Sequence, residues 1–218
     1  MAPKRRRKAA PRAVVTAASG GRGRPRSEEA GKAILDAALD LVATMGMSGF
    51  TVEGVAARAG VGKATIYRRW SSKLPLVVDA ITTLPELRVV ETGTLRGDLR
   101  RIVGDLVTIL RSSPLGRVLP HLVAERGSDP QLDEAVGRYL MARRAPLVEV
   151  VRRGIERREI PSGIDPEALT DLVVGPLINR LLFSRRSLDG PFIDLVIAIV
   201  LAGARTIPRR SRAAKTTR

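Results

Sequence analysis

The sequence predicts an all-α protein, and three observations carry that prediction. Apolar residues recur at intervals of three and four along most of the chain, no stretch alternates convincingly with period two, and acids or hydroxyl residues stand just ahead of several apolar runs. With 218 residues, 44% of them hydrophobic, the chain can hold a small helical module and a larger helical body, and it contains no internal repeat.

Nearest the N-terminus, Ser27, with Glu28 and Glu29 behind it, starts a helix whose apolar positions Ile34, Leu35, Ala38, Leu41, Val42 and Met45 recur until Gly46 stops it. Thr51 caps a short helix with Val52, Val55 and Ala56 inward, and Gly60 ends it. A second short helix is predicted over Lys63 to Arg69. Ser71 or Ser72 can cap the next one, where Pro75 falls in a first turn that needs no N–H, and Pro85 closes this module near residue 84. Further helices are predicted over Leu95 to Ser112 and over Pro114 to about Arg126. Asp129-Pro130 and Asp165-Pro166 each place a capping acid before a proline at the first helical position. The helix from Pro130 to about Arg158 contains Pro146 and is expected to kink or divide there, and Pro176 raises the same issue in the helix from Pro166 to about Ser184. The last helix is predicted from Pro191 to about Thr206.

Composition narrows the chemistry. There is no cysteine and a single histidine, His121, which excludes disulfides, thiol nucleophiles, thiolate metal sites and histidine-rich metal clusters. The sequence has no phosphate-binding glycine loop, no serine-nucleophile elbow and no paired-histidine zinc motif, so it argues against an enzyme and implies no cofactor. The longest apolar run, Leu195 to Ala204, falls short of the roughly 20 residues of a membrane span, and Arg12 interrupts the stretch after the basic N-terminus. A cytoplasmic, nucleoid-associated protein is the expectation.

The net charge of +16 lies at the ends: residues 1–26 hold nine Lys or Arg and residues 205–218 hold six, with no acid in either, which leaves residues 27–204 at +1. Such tails suit a polyanion, nucleic acid ahead of an anionic membrane surface, or serve solubility alone. Residues 1–26 and 207–218 are expected to be disordered in isolation.

Two short helices joined by a glycine turn are a helix-turn-helix candidate, whose second helix enters the major groove of double-stranded DNA. Ala56 stands four before Gly60, where a larger side chain would push the helices apart, and Gly60 can take the positive φ of a sharp turn. Val55, Val61 and Ile66 are spaced to fill the core between the short helices and the first. Lys63, Ala64, Thr65, Tyr67, Arg68 and Arg69 are then left on the outward face. Trp70 is expected inward, as a wedge between helices, and Tyr67 outward, where its ring can meet a sugar or thymine methyl and its hydroxyl a phosphate.

The stretch TVEGVAARAGVGKATIYRRWSSKLPLV resembles the DNA-binding region of the tetracycline-repressor (TetR) family of bacterial transcriptional regulators, and GRGRPR ahead of the first helix resembles the family's N-terminal arm. The close resemblance covers about residues 22 to 84; the rest matches in the number and order of helices. It implies base-edge or groove contacts from Lys63, Ala64, Thr65 and Arg68, and phosphate contacts from Thr65, Tyr67 and Lys73. Gly62 departs from the serine common at the cap of the reading helix, a change worth a few tenths of a kcal/mol, and Pro75 is also unusual for the family. RGRPR further resembles an AT-hook, with Arg22 and Arg24 either in a narrow A·T minor groove or on phosphates without sequence preference.

The C-terminal two-thirds is expected to provide assembly and regulation. Phe192, Ile193, Leu195, Val196, Ile197, Ile199, Val200 and Leu201 cover the whole circumference of the last helix, so one side needs a partner. A homodimer through the helices at about 166–184 and 191–206 meets that need and predicts a palindromic operator. The resemblance implies the same dimer and an inducer pocket in each C-terminal body. His121, Tyr139, Met141, Asn179 and Phe183 are the polar-tipped or adaptable candidates for that pocket, though residues of these types are more often ordinary core or surface. Arg143, Arg144, Arg152, Arg153, Arg157 and Arg158 read as a solvated helix face. The organisation predicted is a basic arm (1–26), a helix-turn-helix domain (27–84), a ligand-binding and dimerisation domain (85–206) and a basic tail (207–218). The function predicted is a repressor responsive to a small apolar or amphipathic ligand, set against an architectural protein that coats DNA through its tails.

Overall fold

The computed structural model describes residues 24–127 and 130–207, with side chains from Ser27 onward. Every regular element among them is helical: α1 (Arg24–Met45), α2 (Val52–Ala59), α3 (Lys63–Tyr67), α4 (Lys73–Thr82), α5 (Leu95–Ser112), α6 (Leu115–Ala124), α7 (Pro130–Glu156), α8 (Pro166–Asn179) and α9 (Gly190–Thr206). The all-α prediction holds.

Local differences from the sequence reading have physical causes. α1 starts at Arg24 rather than Ser27, because Pro25 fits a first turn in which its missing N–H loses no partner. The expectation of disorder is thereby corrected for residues 24–26, while residues 1–23 and 208–218, and the predicted cap Asp129, lie outside the described residues. α3 stops at Tyr67, short of Arg69, as the N–H groups of Arg69 and Trp70 both reach back to the Ile66 carbonyl at 2.9 Å and tighten the last turn. Pro146 does not divide α7, which runs unbroken to Glu156. Leu147, Val148, Val150 and Val151 beyond it are buried, at about 1.5–3 kcal/mol per side chain, which outweighs the roughly 3 kcal/mol cost of an interior proline. α8 likewise continues past Pro176 and then widens into one π turn, Arg180–Ser184, that ends at Arg185 with φ 49°.

Two cores hold the helices together. One joins α1–α4 to α6 and the first half of α7 through Ile34, Val42, Ile66, Leu76, Leu122 and Val136. The other joins α5 to the second half of α7, α8 and α9 through Leu99, Ile102, Val151, Val173, Leu177 and Ile197. Leu106 and Ile109 of α5 pack against both. The N-terminal helices are therefore bolted to the body along α6 and α7.

The arginines of α7 and of the turn just after it are not one solvated face, which corrects the sequence reading. Arg157 donates to Asp98 Oδ2 and Glu159 Oε1, both at 2.7 Å, and Asp98 is fully buried. Glu159 in turn accepts from the Leu95 N–H at 2.7 Å, supplying a negative charge to the N-terminus of α5. Arg144 pairs with Glu167 and Asp171 of α8. Arg152 and Arg153 pair with Glu149 of α7 itself, and Arg153 also with Glu91. The other acceptors lie on other elements, which helical spacing along α7 does not reveal.

Candidate nucleic-acid interface and ligand cavity

The reading head is built by short-range bonds. Thr51 Oγ1 accepts from the Gly54 N–H at 3.0 Å, which caps α2 as its sequence implies. At the other end Gly60 takes φ 67°, where a side chain would be strained, and the Val61 N–H returns to the Ala56 carbonyl at 3.0 Å. Ala56, Val55 and Ile66 are buried at the crossing of α2 and α3. Gly62 stands at the N-cap of α3 with extended backbone and no capping side chain.

Trp70 is buried, as its spacing predicts, and its indole N–H donates to Asp79 Oδ2 at 2.7 Å, which ties the end of α3 to α4. Arg69, read as part of the outward face, is exposed but donates to the carbonyl and hydroxyl of Ser27, tying α3 to α1. These two anchors, with Ile66, hold α3 in a single orientation.

What remains outward is Lys63, Ala64, Tyr67 and Arg68, all exposed, with Thr65 half-buried among them. Tyr67 is 50% exposed. Arg68 Nη2 donates to Thr65 Oγ1 at 3.2 Å, and Lys63 Nζ lies 3.3 Å from Glu53 Oε1 across the turn. Glu53 escaped the sequence reading; its own backbone N–H and then Lys63 hold its carboxyl below the ordinary range. Lys73, exposed, opens α4 beside this surface. Arg24 is the first residue of α1, and Arg22 lies outside the described residues.

A cavity of about 260 Å³ lies at the seam of the two cores. Leu106 and Ile109 of α5, Leu119 of α6, Tyr139 and Arg143 of α7, and Val174 of α8 line it. Of the five predicted ligand residues, Tyr139 is in this wall. His121 packs against Gly46 at the end of α1, where φ is 69° and a Cβ would meet the imidazole at 3.1 Å. Met141 lies on the outer side of α7, Asn179 is exposed at the end of α8, and Phe183 is 78% exposed on the π turn. The reading missed Arg143 and Arg144 as wall residues. Burial pushes the Tyr139 phenol up to about 12 against the opposing pull of Arg143, so it stays a neutral donor at physiological pH. The Arg143 guanidinium lies 4.5 Å from the Tyr139 ring centre and donates to the carbonyls of Leu84, Ile81 and Pro85 at the end of α4.

A tight glycine turn, an anchored reading helix and a cationic outward face define a helix-turn-helix DNA-binding protein. Comparison with known proteins carries this further. The family described as bacterial regulatory proteins, tetR family, matches residues 34–80, and the tetracyclin repressor-like C-terminal domain matches residues 89–200. The chain is 35% identical over 180 residues to the HTH-type transcriptional regulator YdeS of Bacillus subtilis, covering 81% of this chain and 90% of that one. It is 31% identical over 189 residues to the DNA-binding transcriptional repressor TetR of Mycobacteroides abscessus, covering 83% and 98%. The crystal structure of the TetR-family regulator SCO0332 superposes with a TM-score of 0.61 at 30% identity over 83% of this chain and all of that one. This chain belongs to the TetR family of bacterial transcriptional regulators. It is a regulator of transcription and not an enzyme, and members of its family bind DNA and small molecules and act as dimers. No helix among the described residues is long and apolar enough to cross a membrane.

Proposed function

We propose that the protein is a homodimeric repressor, acting in the cytoplasm at the nucleoid, that leaves a palindromic operator when a small molecule enters the cavity between α5, α6, α7 and α8. Lys63, Ala64, Thr65 and Arg68 meet base edges, and Thr65, Tyr67 and Lys73 meet phosphates. Arg22 and Arg24 follow the minor groove from the arm. One observation carries the reading: α3 is locked from behind by Ile66, Trp70 and Arg69, so its exposed face is presented as a rigid unit.

Dimerisation through α8 and α9 is supported by the apolar side chains left outside. Leu172 of α8 and Leu195 and Ile199 of α9 are 62%, 55% and 63% exposed, while Ile193, Ile197 and Leu201 on the opposite side of α9 are buried in the chain's own core. A second copy of the same face covers them. The route from cavity to head is supported by Arg143, which touches the cavity and holds the end of α4. A ligand that shifts α4 weakens DNA binding by the factor by which DNA weakens ligand binding.

Selection of bound sites from a random duplex library, run with the full chain and with a Tyr67→Ala/Arg68→Ala variant, tests the DNA reading. A palindrome enriched by the full chain and lost with the variant supports it. Enrichment only for A·T content, unchanged in the variant, would mean that the tails coat DNA and the head does not read it.

A further inference from the structure

The cavity between α5, α6, α7 and α8 is walled by Leu106, Ile109, Leu119, Val174, Ile178 and Leu182 among others, and the surface open inside it is carbon almost throughout. Its three residues with polar side chains turn their polar atoms elsewhere. Arg143 commits its terminal nitrogens to the carbonyls of Pro85, Leu84 and Ile81, and Arg144 reaches Glu167 and Asp171 of α8. Tyr139 Oη, Arg143 Nε and Arg144 Nε are sealed in the surrounding packing and open onto no space. What these residues give the wall is an aromatic ring and two methylene stems.

Such a wall separates ligands by what each must give up. A hydroxyl or amide loses its bonds to water inside and finds no donor or acceptor in return, and an ion loses far more. A hydrocarbon has no such bonds to lose and gains from taking its whole surface out of water. A dry cavity of about 150 Å³ walled by leucine, isoleucine and phenylalanine takes up benzene, so the cavity of about 260 Å³ here scales to about ten non-hydrogen atoms.

We propose that the ligand is an uncharged hydrocarbon of about ten carbon atoms, held by shape and apolar contact without a hydrogen bond. The proposal rests on the reading of the cavity as the inducer site. Arg143 presents its stem to the cavity and its guanidinium to the end of α4, so the volume of the ligand, and not a head group, carries the signal.

Two matched series test it on the full chain and its selected operator: propylbenzene, 2-phenylethanol, phenylacetate and 2-phenylethylamine, and nonane, 1-octanol, octanoate and octylamine. In at least one series the hydrocarbon is expected to bind about tenfold or more tighter than its alcohol in calorimetry and to release the operator, with no binding by the acid or the amine. Leu119→Ala, which enlarges the cavity, is expected to shift preference to a hydrocarbon about two carbons longer, which ties the ligand to this wall. Arg143→Met, which keeps an apolar stem, is expected to leave hydrocarbon affinity within about threefold and to abolish operator release by it. An alcohol, acid or amine that binds as tightly as its hydrocarbon, or binding of neither hydrocarbon, overturns the proposal. Val174→Phe and Ile178→Phe, which fill the cavity without ligand, separate this failure from that of the underlying reading. If a filler lowers operator affinity about fivefold or more while the hydrocarbons fail, only the ligand class is wrong. If neither filler nor probe moves operator affinity, the inducer site itself is wrong.

Discussion

The reading head and the helical body hold their decisive side chains over different distances along the chain. In the head, Thr51 reaches Gly54, Gly60 returns to Ala56 and Ala57, and Trp70 reaches Asp79, nine residues on, while the longest anchor, Arg69 to Ser27, spans 42. In the body, Arg157 reaches Asp98 and Arg143 reaches Leu84, each across 59 residues, and Glu159 reaches Leu95 across 64. The difference teaches where each region is vulnerable. Disturbing the head alters what is recognised, whereas disturbing the body's long-range bonds alters whether the chain stays folded and how its parts communicate.

The largest expected effect breaks the body's side of this contrast. Arg157→Ala leaves Asp98 fully buried without its counter-ion and should cost about 3–5 kcal/mol, read from the midpoint of urea unfolding. A loss below about 1 kcal/mol would show that Thr92 alone satisfies Asp98. Burial pushes the Asp98 carboxyl up, but the Thr92 N–H and hydroxyl and then Arg157 outweigh it and hold it below the ordinary range. Its contribution is therefore present above the unfolded value near pH 4 and is lost as pH falls through the lower folded value. In Arg157→Ala the folded value rises, so acid unfolding should begin at higher pH.

Next comes the assembly. Ile199→Glu places a carboxylate in the proposed apolar interface, at a cost of several kcal/mol per copy, and should yield a monomer in sedimentation at micromolar concentration with unchanged helical content. A stable dimer would move the interface away from α9. In the head, Arg68→Ala should cost about 1–3 kcal/mol of operator binding and relax preference at particular bases. Lys73→Ala should instead weaken all sequences alike and reduce the salt slope by about 1. If the two variants behave identically, α3 does not read bases. The smallest effect tests the cap: Gly62→Ser, at an extended N-cap with nothing within 4 Å of the added Cβ, should stabilise the fold by a few tenths of a kcal/mol in the same urea assay.

Legibility followed the same division. Thr51, Gly60, Ile66, Trp70 and Tyr67 could be placed from spacing, since each answers to backbone geometry within a turn or two. Tyr139 could be named only as one of five candidates, and His121, though polar-tipped and central in sequence, turned out to pack against Gly46. The arginines from 143 to 158 looked like one stripe, because helical periodicity places them together and says nothing of Asp98, Glu167 or the end of α4. Pro146 signalled a break that the buried residues beyond it overrode.

The sequence by itself determined the helical class, the helix-turn-helix with its outward Lys63, Tyr67 and Arg68, the inward Trp70 and the charged tails. Those features depend on hydrogen bonds and side-chain directions set within a few residues of each position. Only the tertiary structure decided that α6 and α7 belong partly to the head's core, that a cavity opens at the seam, and that Arg143 joins its wall to α4. Such relations depend on which distant segments pack together, and a one-dimensional pattern of apolar and charged residues admits many packings with the same periodicity.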